Sequence, residues 1–116
     1  MEFKQRDIIS IQYEGTDWNH PHIIISNDHF NDAEYGYLVV MMSATKRPSE
    51  FALPVTRDDL TKPLTKEHGF AKLNMIDNVK DEDLYKPKYL GRMKIEPFKR
   101  LLREINDRVF SDEGNE

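Results

Sequence analysis

The sequence contains no cysteine. That one absence excludes disulfides, thiolate metal sites and cysteine nucleophiles, and it suits a reducing, cytoplasmic compartment. Long apolar runs are missing too. None approaches the ~18 residues of a membrane span, and the opening residues MEFKQRD lack the apolar stretch of a signal peptide. Glycine is scarce: five residues are scattered so that neither GxGxxG nor GxxxxGK occurs, which leaves no phosphate-cradling loop. An excess of positive charge is also lacking. Lys and Arg number 17 against 21 Asp and Glu, a formal net charge of −4. Asp112, Glu113 and Glu116 crowd the end of the chain, so its body is close to neutral. A nucleic-acid partner therefore requires a local cationic patch.

What is present fits a single domain over residues 1–110 with a disordered acidic tail over 111–116. Asp7–Tyr13 alternates, with Ile9, Ile11 and Tyr13 on one face, and predicts a strand with one wet side. Pro21–Ser26 and Tyr37–Ser43 are apolar on both faces and predict buried strands, separated by a polar stretch, Asn27–Gly36, that breaks the pattern. Phe51–Val55 predicts an edge strand, because Pro54 cannot donate to a ladder. In Gly69–Met75, Ala71, Leu73 and Met75 are expected inside and Phe70, Lys72 and Asn74 on the opposite face; a further short strand is expected around Asp77–Lys80. From Pro97 the period changes: Phe98, Leu101, Leu102, Ile105 and Val109 form the stripe of an amphipathic helix over about 97–110. The expected fold is mainly β with a C-terminal α-helix, a small and strongly bent sheet or barrel.

Polar residues converge at one place in this plan. An antiparallel hairpin pairing Ser26 with Tyr37 sets His20 opposite Ser43. His20, His22, Ser43 and Thr45 then gather at one end of the two most buried strands. His20 and His22, two apart on a strand, share a face. An imidazole there can take or give a proton at neutral pH. A metal is not expected, since the histidines, with Asp17, Asp28 and His29, follow no further ligand pattern. Ser43 lacks the context of a nucleophile elbow.

These segments resemble the MazF/PemK (Kid) family of type II toxin–antitoxin ribonucleases. The resemblance rests on RDIISIQY, on HPHIIISNDHFN, on YGYLVVMMSATK and, more weakly, on GFAKLNMIDNV, a YLGRM turn and the helix IEPFKRLLREI. It implies a small SH3-like barrel of the MazF/PemK/CcdB type, a homodimer, a cognate antitoxin partner, and a cytoplasmic endoribonuclease without metal or other cofactor. Such an enzyme cleaves single-stranded RNA by attack of its own 2′-hydroxyl, leaving a cyclic phosphate and a 5′-hydroxyl. Under this reading His20, Ser43, Thr45 and Lys72 are the catalytic candidates, and Trp18, Asn19, His22, Lys46 and Asn74 the RNA-binding ones. His20 stands where the family typically carries arginine, and Ala44 falls on its threonine in a gapless match; Lys72 and Asn74 stand where some members carry arginine and aspartate. Histidine loses a fixed fork of donors and gains a titratable group. The alternative is a MazF-like module that has lost catalysis and acts by binding protein or nucleic acid alone; a gyrase-directed poison of the CcdB kind is a weaker third.

Overall fold

The computed structural model describes residues 1–12, 15, 19–45, 47, 49–64 and 69–112. Among them, six antiparallel strands form one sheet: β1 (Asp7–Gln12), β2 (Asn19–Ile24), β3 (Gly36–Ser43), β4 (Ala52–Pro54), β5 (Phe70–Lys80) and β6 (Tyr85–Arg92), in the order β4-β5-β3-β2-β1-β6. β4 lies on an edge, as Pro54 requires. The two edges are drawn together without pairing directly. Leu60, just past β4, bridges Met93, just past β6, and Thr61 N donates to Arg92 O at 2.9 Å. The expected mainly β, SH3-like small barrel with a C-terminal helix is thus present as a bent sheet that is nearly closed.

One core lies inside the bend. There Ile8, Ile23, Val40, Met42, Leu73 and Met93 pack against Phe98, Leu101 and Ile105 of α2 (Ile95–Ile105). Pro97 sits in the first turn of that helix, where its missing N–H has no partner to lose. The other face carries a second cluster of Phe3, Ile9, Ile11, Ile24, Tyr37 and Val39. The central strands are therefore buried on both sides, as their unbroken apolar runs predict.

Four expectations are corrected. The polar stretch 27–36 holds a helix, α1 (Asp28–Glu34), which an apolar stripe does not announce. It is built from its ends: the Asn27 side chain accepts from Phe30 N at 2.8 Å, and Tyr35 leaves it in the left-handed region at φ 50°. Residues 89–93, read as a turn, instead finish β6 and lead into α2. Residues 70–80 form one strand, not two, and Met75 is exposed. Val40 pairs with Ile76 but Met42 pairs with Ala71, so two steps along β3 match five along β5. That excess breaks the strict alternation from which Met75 was placed inside. The helix expected over about 97–110, finally, is α2 to Ile105 followed by a π-helical turn over Asn106–Phe110; of its stripe only Phe98, Leu101 and Ile105 are buried, while Leu102 and Val109 face outward.

The turn from β2 to β3 is fastened by buried polar groups. Ser26 Oγ donates to Asn31 Oδ1 and accepts from Leu38 N at 2.9 Å, while Asn31 Nδ2 donates to Ser26 O at 3.3 Å. Gly36 is needed beside it, because a Cβ there would meet Val79 O at 2.7 Å. Asn31→Ala removes both side-chain partners of buried Ser26, and we expect a loss of about 2 kcal/mol. The measurement is a urea titration, in which the midpoint falls at unchanged slope.

Candidate active site

β2 pairs with β3 through His22↔Met41, Ile23↔Val40 and Ile24↔Val39, the register that the hairpin argument predicts. Carried two residues further, the same register sets His20 opposite Ser43. His20 and His22 share a face by alternation, and pairing puts Met41 and Ser43 on that face too. On the other side His20 pairs with Ile11 and His22 with Ile9. His22 and Ser43 are buried, His20 is half-buried with its Nδ1 shielded from solvent, and Asn19 is exposed.

His22 is in a defined state. Its Nδ1 lies 2.8 Å from the carbonyl oxygen of His20. A carbonyl only accepts, so Nδ1 carries the hydrogen and, in the neutral ring, Nε2 carries the lone pair. Burial holds the imidazole below its ordinary pKa of 6.5. The bond to the His20 backbone pulls the value up, the neighbouring His20 ring pushes it down, and the Asp77 carboxylate pulls it up, all more weakly than burial acts. Asp77 pairs with Val39, on the same face as His22. His22 is therefore neutral at neutral pH.

The segment after β3 is shaped by a relay of hydrogen bonds. Ser43 Oγ accepts from Thr45 N at 3.2 Å, and Thr45 Oγ1 accepts from Arg47 N at 3.4 Å. The Arg47 carbonyl in turn accepts from Lys72 Nζ. Three of the residues singled out in the sequence thus belong to one chain of contacts. Both hydroxyls keep a hydrogen to donate, and the Lys72 ammonium keeps two.

Lys72 itself is not on a wet face. Only 2% of it is exposed, beside Ala52 of β4 and at the start of the excess in β5, with its charge held against a backbone carbonyl. Asn74 lies within that excess and is exposed. The two side chains expected to present together to a phosphate are therefore split between interior and surface. Trp18 and Lys46 lie outside the described residues. Two groups escaped the sequence reading. Arg47 follows Thr45 and is exposed; its position beside Lys46 was the available signal. Asp77 reaches His22 only through the offset of β5, which no local pattern reveals.

On Met42's side of β3, away from His22, a cleft of about 640 Å³ opens beside Ala44, lined by Val55, Leu60, Leu64 and Phe70 with Arg57 and Asp58. It contains none of the expected site residues. No group of three or more His, Asp or Glu side chains suited to a metal occurs among the described residues.

Two outcomes follow from this geometry. The unfolded chain protonates His22 near its ordinary value while the folded one resists, so the unfolded state binds more protons as pH falls. Stability present above about pH 6.5 is then lost on acidification, and a thermal melt series should show a falling midpoint that His22→Phe partly flattens. Lys72→Met keeps the stem but frees the Arg47 carbonyl; amide hydrogen exchange at Thr45 and Arg47 should accelerate while the strands stay protected.

The nearly closed sheet with its terminal helix has close counterparts among solved structures. It superposes on a MazE–MazF structure from Deinococcus radiodurans with a TM-score of 0.74 at 5% identity, covering 97% of this chain and 100% of that one. An endoribonuclease in complex with its cognate antitoxin from a mycobacterial species superposes at 0.70 with 14% identity, covering 94% and 95% of the two chains. An endoribonuclease from mycobacterial species gives 0.70 at 15% identity, covering 94% and 92%. Identities this low carry the fold alone. No curated protein sequence is significantly similar to this chain. The family model of PemK-like, MazF-like toxins of type II toxin–antitoxin systems, however, matches residues 4–108. The chain belongs to the PemK-like, MazF-like toxin family of type II toxin–antitoxin systems.

Proposed function

We propose that the protein is an endoribonuclease toxin that cleaves single-stranded RNA by internal transesterification, without a metal. The observation that supports this reading is the β2–β3 register, His22↔Met41, which extended by two residues sets His20 opposite Ser43, where the Ser43–Thr45–Lys72 relay begins. In the reaction the 2′-oxygen bonds to phosphorus and the bond to the 5′-oxygen of the next nucleotide breaks. One proton leaves the 2′-hydroxyl and one arrives on the 5′-oxygen, so the products are a cyclic phosphate and a 5′-hydroxyl and no water is consumed. His20 exchanges protons at this phosphate. Ser43 and Thr45 donate hydroxyl hydrogens to its oxygens, and Lys72 adds positive charge from beneath the loop. His22 is a positioning residue, because its bond to the His20 carbonyl fixes the backbone that carries the catalytic ring. Trp18 stacks on a base, and Asn19, Lys46 and Asn74 contact the strand around it.

A cognate antitoxin is the expected protein partner, as one structural neighbour is an endoribonuclease solved with its own antitoxin. A homodimer is expected in the cytoplasm. Ile95, Leu102 and Val109 stay exposed at seven-residue intervals along the terminal helical segment, an apolar line suited to a second copy.

One observation favours the alternative, a binding module without catalysis: the Lys72 ammonium is buried and already engaged by the Arg47 carbonyl. Incubating the protein with long single-stranded RNA in excess chelator separates the two. Cleavage to cyclic-phosphate ends supports the enzyme, and intact RNA supports the binding module. His20→Ala should slow cleavage by about a hundredfold or more at unchanged circular dichroism. Full activity in that variant would remove His20 from the mechanism.

A further inference from the structure

The exposed edge of the sheet carries a second surface. β6 pairs only with β1, so its outer side from Tyr85 to Tyr89 has no strand partner among the described residues. Tyr85 and Tyr89 are 36% and 50% exposed, and each ring has an ammonium above it: Lys86 Nζ lies 5.2 Å from the Tyr85 centroid and Lys62 Nζ 5.5 Å from that of Tyr89. Lys62, Lys86 and Lys88 make no ion pair among the described residues, in a chain whose net charge is −4. Three lysines thus stand with two exposed rings at one end of this edge, and the acidic run Asp81–Asp83 stands at the other.

The backbone is shaped to hold them. Gln12 pairs with Tyr85 but Ser10 pairs with Lys88, so β6 carries an extra residue in this stretch. Lys86 takes up the irregularity in the left-handed region at φ 45°, a conformation disfavoured for lysine. Lysine and proline on an edge strand have a simpler use, to discourage pairing with other chains. That use accounts for Lys86, Pro87 and Lys88. It does not account for two tyrosines held outward, each beneath a cation.

Gln12 and Ile9, the partners of Tyr85 and Tyr89, lie on opposite faces of β1, so the two rings flank the open edge with cations that make no ion pair among the described residues. That combination matches one class of ligand, a flexible polyanion whose units have flat aromatic faces. We propose that the Tyr85–Tyr89 edge with Lys62 is an accessory docking platform for single-stranded RNA. This rests on the reading that RNA is the substrate, and it adds where the strand runs outside the histidine site. Met41, His22, Ile9 and Tyr89 are successive cross-strand partners, so Tyr89 lies two strand spacings, roughly 10 Å, from His22. A strand of a few nucleotides spans that gap. Asp81, Glu82 and Asp83 precede Tyr85 and repel a polyanion at that end, which directs the strand toward Tyr89.

The test uses a fluorescently labelled 2′-O-methyl oligoribonucleotide, which lacks the attacking hydroxyl and cannot be cleaved by the proposed route, and reads anisotropy. The Tyr85→Ala/Tyr89→Ala double variant should bind about tenfold or more weakly than the parent at unchanged circular dichroism, and Tyr89→Phe should bind as the parent does. Lys86→Gln with Lys88→Gln should flatten the salt dependence of affinity. Equal binding by the tyrosine double variant overturns the platform, as does equal affinity for an RNA duplex, which offers charge without free base faces. A polyglutamate probe that depends on the same tyrosines would assign the edge to an acidic protein instead. Because binding is read without cleavage, the two readings fail separately. Tyrosine-dependent binding without cleavage of natural RNA leaves the platform standing and overturns the enzyme; cleavage with tyrosine-independent binding does the reverse.

Discussion

The pairing of His22 with Met41 governs the polar end of the molecule, because a slip of one residue would turn His20, His22 and Ser43 to opposite faces. Hydrophobicity alone does not secure that pairing. Ile23 and Val40 face one core while Ile24 and Val39 face the other, so a slipped hairpin would still bury apolar side chains on both sides. The register is pinned at the far end of the hairpin. There Ile25 N donates to Leu38 O at 2.9 Å, Leu38 N donates to Ser26 Oγ, and Asn31 holds Ser26 in turn. Ser26 lies six residues from His20, roughly 20 Å along an extended strand. The Ser-Asn segment that carried much of the family resemblance thus works on the site from a distance, as a register lock.

The second constraint is the mismatch of β5 against β3. Three extra residues between Ala71 and Ile76 separate two paired stretches: the start of β5 lies between the end of β3 and β4, and the rest pairs with the first half of β3. This bends the sheet around α2. The same excess separates Lys72, drawn inward, from Asn74, left outside, and brings Asp77 to the face of His22. Curvature of the sheet and composition of the site are therefore one structural event.

This explains which parts were legible in the sequence. β1 announces itself by alternation and β2 and β3 by unbroken apolar runs, and pairing Ser26 with Tyr37 gave the register, so His20, His22 and Ser43 could be brought together in advance. α2 was legible from its stripe, although only one side of that stripe is buried. α1 was not, because a seven-residue helix held by an Asn27 cap and the Ser26–Asn31 contacts needs no apolar periodicity. β6 was missed because Tyr, Lys and Pro on an edge strand give no alternation to read. The burial of Lys72 depends on a bulge decided by contacts distant in sequence, and local pattern carries no trace of it.

Lys72 has a structural contact that bears directly on the chemical role proposed for it. Its ammonium ends a relay that runs through the Thr45 and Ser43 hydroxyls, so the positions of the loop and of the charge are coupled. A backbone carbonyl offers an ammonium a neutral acceptor, whereas a phosphate offers a charged one and a stronger bond. A phosphate arriving beside Ser43 would therefore compete with the Arg47 carbonyl for the same donors, and the loop would shift as the contact was exchanged. In the absence of phosphate the carbonyl keeps the buried charge from standing alone, which would be costly. Under the proposed function, the fold stores the Lys72 cation at the end of the Ser43–Thr45 relay in a form that is stable until an anion arrives.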